Sequence, residues 1–119
     1  MAIRSIRTIG DAILEKKTKA VKEMTDRLKE LISDMFDTMY DANGVGLAAP
    51  QVGILKQIFV VDIGDGKQYV AINPEITVVG EEVQTGEEGC LSVPGKEGVV
   101  TRPMHIKVKA LDQNMKEYT

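Results

Sequence analysis

The clearest pattern along the chain is a helical one that follows Thr25. Apolar side chains recur there at intervals of three and four residues, with charged or polar residues between them, at Leu28, Leu31, Ile32, Met35, Phe36 and Met39. This spacing predicts one amphipathic α-helix whose apolar stripe is core. Thr25 is suited to cap its N-terminus, and Asn43-Gly44 supplies a stop signal. A short helical turn is predicted before it, around residues 11–15.

Beyond the helix, the apolar positions alternate with a period of two, which is typical of strands. The segments predicted as strands in this way are 57–63, 67–72, one beginning at 75–79, 105–111 and 115–119. Gly64-Asp65-Gly66 predicts a hairpin turn between the first two, and Asn73-Pro74 predicts a break after the second. The fold class that follows is α+β, with largely antiparallel sheets packed around the amphipathic helix.

Composition excludes several classes of protein. The 119 residues carry 15 Lys or Arg and 18 Asp or Glu, a net charge of −3, with no dense basic block, so no nucleic-acid surface is predicted. No apolar run approaches the ~18 residues that span a bilayer, and the first residues lack a signal-peptide core, which indicates a soluble, cytoplasmic protein. The one cysteine, Cys90, cannot form an internal disulfide. Packing must therefore stabilise a single domain over residues 1–119.

Two short segments are explained by neither helix nor strand propensity. The first, residues 44–53, combines glycine and alanine with Pro50 and Gln51, and has no charged side chain. Glycine allows another chain to approach the backbone closely, and the Gln51 amide can donate and accept hydrogen bonds beside it. A tight structural loop packed under the sheet is an equally good interpretation of these residue types.

The second segment, residues 87–94, holds two carboxylates, Gly89 and the only thiol, that of Cys90. A cysteine in such a place is a nucleophile, a metal ligand or an inert buried side chain. A nucleophile needs a histidine base, and a catalytic metal needs about three protein ligands. The only histidine, His105, lies on a predicted strand, where a structural role is the commoner one. The residue types by themselves leave the alternatives open.

Together, the two segments resemble the peptide deformylase family. The first family motif is matched by Gly44, Val45, Gly46, Leu47, Ala48, Ala49 and Gln51, and the second, Glu-Gly-Cys-Leu-Ser, by Glu88, Gly89, Cys90, Leu91 and Ser92. Both motifs occur in the family's order, after the predicted helix. The similarity continues through Arg102 and residues 105–111, so that it covers nearly the whole chain.

The resemblance implies a metal-dependent hydrolase that removes the formyl group from the N-terminal methionine of newly made proteins. Its partners would be formyl-methionyl nascent peptides, with the ribosome as a candidate place of encounter. The family's metal is Fe²⁺, which Zn²⁺ or Ni²⁺ can replace, and Cys90 would be its thiolate ligand. The Leu91 backbone N–H and the Gln51 side chain would donate hydrogen bonds to the oxygen that becomes negative in the reaction.

The resemblance also assigns residues to peptide binding and to support of the site. Gly44, Gly46 and Gly89 would bind the main chain of an extended peptide by strand addition. Val45 would line the pocket for the methionine side chain. Glu88 would pair with Arg102 and so support the loop that carries the cysteine.

The family's third motif, a His-Glu-x-x-His helix that completes the metal site, does not occur in residues 1–119. The resemblance therefore implies a domain cut short at its C-terminus, without the metal-binding helix. With one ligand present, the 119-residue chain is expected to hold no catalytic metal and to be inactive. An uncovered sheet face is expected to expose apolar side chains and to favour self-association.

Two other functions remain open at the level of the sequence. The first is a peptide-binding module without chemistry, in which the glycine segments hold an extended peptide. The second is a hydrolase in which Cys90 is the nucleophile and His105 its base. The second is disfavoured, because nothing in the spacing brings His105 to the cysteine.

Overall fold

The structure, a computed structural model, describes residues 3–119. The predicted amphipathic helix is α1, Asp26–Asp41, and Thr25 caps it by accepting a hydrogen bond from the Leu28 N–H at 3.1 Å. All six apolar residues of the predicted stripe are buried, Met35 completely, which confirms this prediction. A short 3-10 helix at Ala12–Glu15 confirms the earlier turn. In residues 3–119, no helix has the length and apolar character that crossing a membrane requires.

Five strands in the described residues form one antiparallel sheet whose spatial order is the chain order. Their bounds are Gly46–Ala48 for β1, Ile58–Val61 for β2, Tyr69–Cys90 for β3, Val93–Leu111 for β4 and Glu117–Tyr118 for β5. The buried face of α1 packs against the end of the sheet formed by β1, β2 and the start of β3, through Leu47, Val60 and Ile72. The predicted α+β class with an antiparallel sheet is therefore confirmed.

The predicted break between two strands at Asn73-Pro74 was wrong, because β3 runs through it. Asn73 has a φ of 52°, and the register with β4 shifts between Ile72 and Glu75, so these residues form a bulge within one strand. The Asn73 side chain holds the bulge in place by donating to the Val21 C=O and accepting from the Val21 N–H, both at 2.7 Å.

The β3–β4 hairpin is bent, so that its tip returns to the rest of the molecule. A straight strand of 22 residues would span about 73 Å at ~3.3 Å per residue. The longest dimension of the molecule is only 40 Å. Three register shifts, one near each end of the ladder and one in its middle, interrupt the pairing where such bends occur. The bend carries the two-residue turn Leu91-Ser92, between β3 and β4, back towards β1.

The outer part of this hairpin exposes apolar side chains. Besides Tyr69 at the start of β3, the apolar side chains of β3 and β4 that are at least 38% exposed are Ile76, Val78, Val79, Val83, Val99, Met104 and Ile106. Val78 lies directly opposite Ile106 in the register, so these two form a cross-strand pair on one face of the sheet. The structure thus shows exposed apolar surface on the sheet, of the kind expected from the sequence.

Candidate functional site

The glycine-rich segment forms the edge of the sheet, not a loop packed under it. β1 pairs with β2 along one side, and within residues 3–119 no strand pairs with its other side. Leu47 points into the core, while Gly46 is exposed. The following residues, Ala49–Val52, form a 3-10 helix that ends at Gly53, whose φ of 85° is the left-handed conformation that glycine adopts most easily. This short helix places Gln51 beside the edge strand.

The side chain of Gln51 is held at both ends of its amide. Its Oε1 accepts a hydrogen bond from the Ala48 N–H at 3.0 Å, and its Nε2 donates to Ser92 Oγ at 3.0 Å. The same Nε2 lies 3.8 Å from Cys90 Sγ, within reach of a weak N–H···S contact. Ser92 is buried, whereas Cys90 is exposed. The fold therefore brings the amide and the thiol of the two motifs together.

Leu91 packs over Gly44, which joins the hairpin tip to the end of α1. A Cβ added at Gly44 would lie 2.6 Å from Leu91 Cδ1, so the end of the Leu91 side chain would have to shift to make room for it. The Leu91 N–H takes part in no hydrogen bond with the residues that the structure describes. A backbone donor is thus free on the turn that follows Cys90.

An open cavity of about 1080 Å³ separates β1 from the hairpin tip. The predicted site residues that line it are Gly44, Val45, Gly46, Gln51, Gly89, Cys90 and Leu91. A Cβ at Gly46 or at Gly89 would meet its nearest neighbours at 3.8 Å, an ordinary contact. Nothing within the described chain therefore demands glycine at these two positions, and their backbone is accessible from the cavity.

The carboxylate of Glu88 lies against Arg102 across the hairpin. Arg102 Nε donates to both carboxylate oxygens of Glu88, at 2.7 and 2.8 Å. Such charge-assisted hydrogen bonds are short and directional, although the partial exposure of both side chains limits their contribution to stability. The pair links β3 to β4 two residues before Cys90.

His105 is not part of the site in the described residues. It lies opposite Val79 in the β3–β4 register, and its imidazole is 3.9 Å from the carboxylate of Glu82. The side-chain contact of Cys90 is with Gln51 instead. The arrangement therefore gives no support to a Cys90 nucleophile with His105 as its base.

With this geometry established, comparison with known proteins identifies the family. Residues 3–119 match the model of the polypeptide deformylase family. The chain belongs to this family. The peptide deformylase of Lachnoclostridium phytofermentans is 56% identical over 120 residues, which cover 99% of this chain and 73% of that protein. The peptide deformylase of Clostridium botulinum is 55% identical over 118 residues, which cover 99% of this chain and 79% of that protein.

Solved structures of deformylases share the fold. The crystal structure of a peptide deformylase from Legionella pneumophila has a TM-score of 0.92 and 47% identity, over 98% of this chain and 69% of that one. The peptide deformylase from Ehrlichia chaffeensis, in complex with actinonin, has a TM-score of 0.95 and 37% identity, over 99% of this chain and 73% of that one. At such identities the deformylase fold applies to this chain.

The deformylase family is one of metalloenzymes, and the side chains of this chain bear on whether it can hold a metal. No group of three or more His, Cys, Asp or Glu side chains in residues 3–119 is placed to hold a metal ion. Cys90 offers one thiol, and its neighbour Gln51 offers only an amide. Since a catalytic metal needs about three protein ligands, these residues do not by themselves fit one.

The sequence does not predict two hydrogen bonds of this deformylase-family site, because both join backbone groups. The Arg7 N–H donates to the Gln51 C=O at 2.6 Å, and the Ile9 N–H donates to the Ser92 C=O at 2.7 Å. Any residue type except proline can make such bonds, so no local pattern signals them. Next to them, the Ile13 N–H and the Arg7 guanidinium lower the pKa of Asp11 below its ordinary value.

The substitution Gly44→Ala is expected to displace the Leu91 side chain, because the new Cβ would lie 2.6 Å from Cδ1. The free energy of unfolding should fall by only about 1 kcal/mol, the low end for overpacked sites, because only the end of a flexible side chain has to move. NMR shifts of the Leu91 methyl groups, together with denaturant unfolding, measure both effects. Gly86→Ala is the matched control, since no atom lies within 4 Å of a Cβ at that position. Leu91 methyl signals that do not move in Gly44→Ala contradict the prediction.

Proposed function

We propose that the cavity binds the N-terminus of a formylated peptide, and that it is the peptide-binding part of a site for removal of the formyl group from the N-terminal methionine. The observation that carries this proposal is the 3.8 Å separation of Gln51 Nε2 from Cys90 Sγ beside the cavity. The first family motif supplies the amide donor, and the second supplies the thiol next to it. The substrates would be newly made chains in the cytoplasm, encountered at the ribosome.

The free edge of β1 supports binding of an extended peptide. A peptide strand can add to an unpaired edge through main-chain hydrogen bonds, with pockets for alternate side chains. Gly46 is exposed on that edge and Gly89 faces the cavity from the opposite wall, and neither carries a side chain that would block the approach. Val45, which is 61% exposed, offers apolar surface to a methionine side chain.

Two hydrogen-bond donors support stabilisation of the formyl oxygen as it becomes negative. The Leu91 N–H is free within residues 3–119. Gln51 Nε2 gives one hydrogen to Ser92, and its second has only the weak 3.8 Å contact with Cys90 Sγ. The Ala48 N–H holds the other end of the Gln51 amide, so the donor is oriented before a ligand arrives. Loss of one such preorganised donor lowers kcat by roughly 10²–10³-fold in enzymes of this kind.

We assign Cys90 the role of thiolate ligand, and the Glu88–Arg102 pair that of support for the strand bearing it. The family's metal, Fe²⁺ or in its place Zn²⁺ or Ni²⁺, makes hydroxide available near neutral pH when it is bound. Because the described residues supply a single ligand, no step through a metal is assigned to them. Their contribution is to bind the peptide and to orient donors towards its formyl group.

A second function, peptide binding without chemistry, has its own support. The free strand edge belongs to β1, and the cavity is lined by Ile6, Gln51 and residues 42–46, 89–91 and 93–97. Neither feature needs a metal. A chain with these features can hold an extended peptide whether or not hydrolysis follows. Turnover and binding must therefore be measured separately.

The 119-residue chain is expected to bind a formyl-Met-Ala-Ser peptide but to release no formate, because one ligand cannot form the catalytic metal site. Calorimetry measures binding, a formate assay measures turnover, and elemental analysis measures iron, zinc and nickel. The full-length deformylase of Lachnoclostridium phytofermentans is the positive control for turnover. Stoichiometric metal together with formate release contradicts the expected inactivity, and absence of any peptide binding contradicts the proposed function.

The substitution Gly46→Ala is expected to weaken peptide binding about tenfold or more, because a methyl group on the edge strand would hinder the main chain of the ligand. Folding should be unchanged, since the new Cβ meets only the Val60 C=O, at 3.8 Å. Titration with the same peptide measures the affinity. Gly86→Ala, outside the cavity, is the control and should bind as the parent does. Equal affinities for both variants would rule out binding at this edge.

We further propose that two copies of the chain associate through the exposed apolar face of β3 and β4 that carries Val78 and Ile106. Ile106→Lys should reduce the association, because it places a charge in the middle of this face. Light scattering over a concentration series measures the mass. Thr77→Lys is the matched control, since neighbouring strand residues point to opposite faces. A strictly monomeric parent chain at high concentration contradicts this proposal.

A further inference from the structure

We infer that residues 7–9 form a positioning strap that sets the distance between Gln51 and Cys90. The strap lies next to the site, and its role does not depend on any side chain that would contact the peptide. The inference rests on the proposed function in one respect, namely that Gln51 and Cys90 act on the same ligand.

The strap reaches both walls of the cavity through its backbone. The Arg7 N–H donates to the Gln51 C=O at 2.6 Å, and the Ile9 N–H donates to the Ser92 C=O at 2.7 Å. Because only Thr8 lies between these two residues, their nitrogen atoms cannot be more than about 7 Å apart. The two motif segments are therefore tied to neighbouring points of one short piece of chain.

A third hydrogen bond, between Gln51 and Ser92, completes a ring that consists of the strap and these two residues. Gln51 Nε2 donates to Ser92 Oγ at 3.0 Å, so Gln51 and Ser92 each bind the strap through a carbonyl and each other through a side chain. Ser92 is only 5% exposed, so breaking these bonds would leave buried polar groups that water does not reach, at a cost in free energy. Movement of the hairpin tip along β1 would break at least two members of the ring. The ring thus holds Cys90, two residues from Ser92, at its distance from Gln51.

Side-chain contacts on the N-terminal and the C-terminal side of the strap hold it in place. The Arg4 guanidinium lies 3.0 Å from the carboxylate of Asp34, a residue of α1 that is only 2% exposed, and the Arg4 N–H donates to Thr38 Oγ1 at 2.9 Å. On the other side, Arg7 pairs with Asp11 at 3.1 Å. Arg4 itself does not line the cavity, so these contacts anchor the strap outside the site.

The strap acts through its backbone N–H groups, so a proline that removes one N–H at a time tests its role. The side chain of Ile9 is 72% exposed, so its replacement removes no core contact. Ile9→Pro deletes the N–H that binds Ser92. Thr8→Pro is the matched control, because the Thr8 N–H makes no hydrogen bond with the described residues. Both variants introduce the same restriction of φ, one position apart.

The experiment records the side-chain amide signals of Gln51 by ¹⁵N NMR in the parent chain and in both variants, with circular dichroism to confirm folding. Ile9→Pro should shift these signals towards those of a free carboxamide and weaken binding of formyl-Met-Ala-Ser about tenfold, as expected for one buried hydrogen bond. Thr8→Pro should leave both properties as in the parent. Unchanged Gln51 signals in folded Ile9→Pro overturn the inference.

Hydrogen exchange of the unaltered chain tests the strap even if Ile9→Pro does not fold. The amides of Arg7 and Ile9 should exchange at least about tenfold more slowly, relative to their intrinsic rates, than the amide of Thr8. Equal protection of the three amides also overturns the inference. Neither the NMR nor the exchange measurement needs a ligand. A parent chain that binds no peptide therefore contradicts the proposed function alone, whereas unchanged Gln51 signals contradict the strap alone.

Discussion

The site depends on the return of the long β3–β4 hairpin to the edge of its own sheet. The Gln51–Ser92 hydrogen bond of 3.0 Å and the packing of Leu91 on Gly44 hold the tip there. Without these contacts, the thiol would lie at the end of an exposed two-stranded arm, far from any amide donor. The bulges of β3 make the return possible, since a straight strand of its length would be about twice as long as the molecule. Backbone irregularity is thus what assembles the cavity.

The glycines of the two motifs serve different physical purposes. Gly44 packs against the chain itself, because the Leu91 side chain lies where a Cβ at position 44 would be. Gly46 and Gly89 have room for a methyl group, so packing among the described residues does not explain glycine at these two positions. Access of a peptide to the backbone is the reason that we propose for glycine at Gly46 and Gly89.

Local patterns predicted those parts of the fold in which one face of an element is buried. The α1 stripe was visible because its apolar residues repeat with the helical period and pack on the sheet. Residues 80–104 were missed as strands, because most of them are exposed on both faces and so show no alternation. Asn73-Pro74 was misread as a break, since a turn and a bulge use the same residue types.

By itself, the sequence determined the helix, the α+β class and, through two motifs, the residues that meet at the cavity. It carried this information because side-chain size, polarity and periodicity are properties of single residues and their near neighbours. Only the tertiary structure decided that the hairpin bends back, that β1 keeps a free edge and that residues 7–9 tie both motif segments together. Residues 7–9 act through backbone hydrogen bonds, which almost any residue type can make and which no local pattern therefore signals. The bend and the free edge depend on how segments far apart in the chain pair and pack, which near-neighbour patterns do not encode.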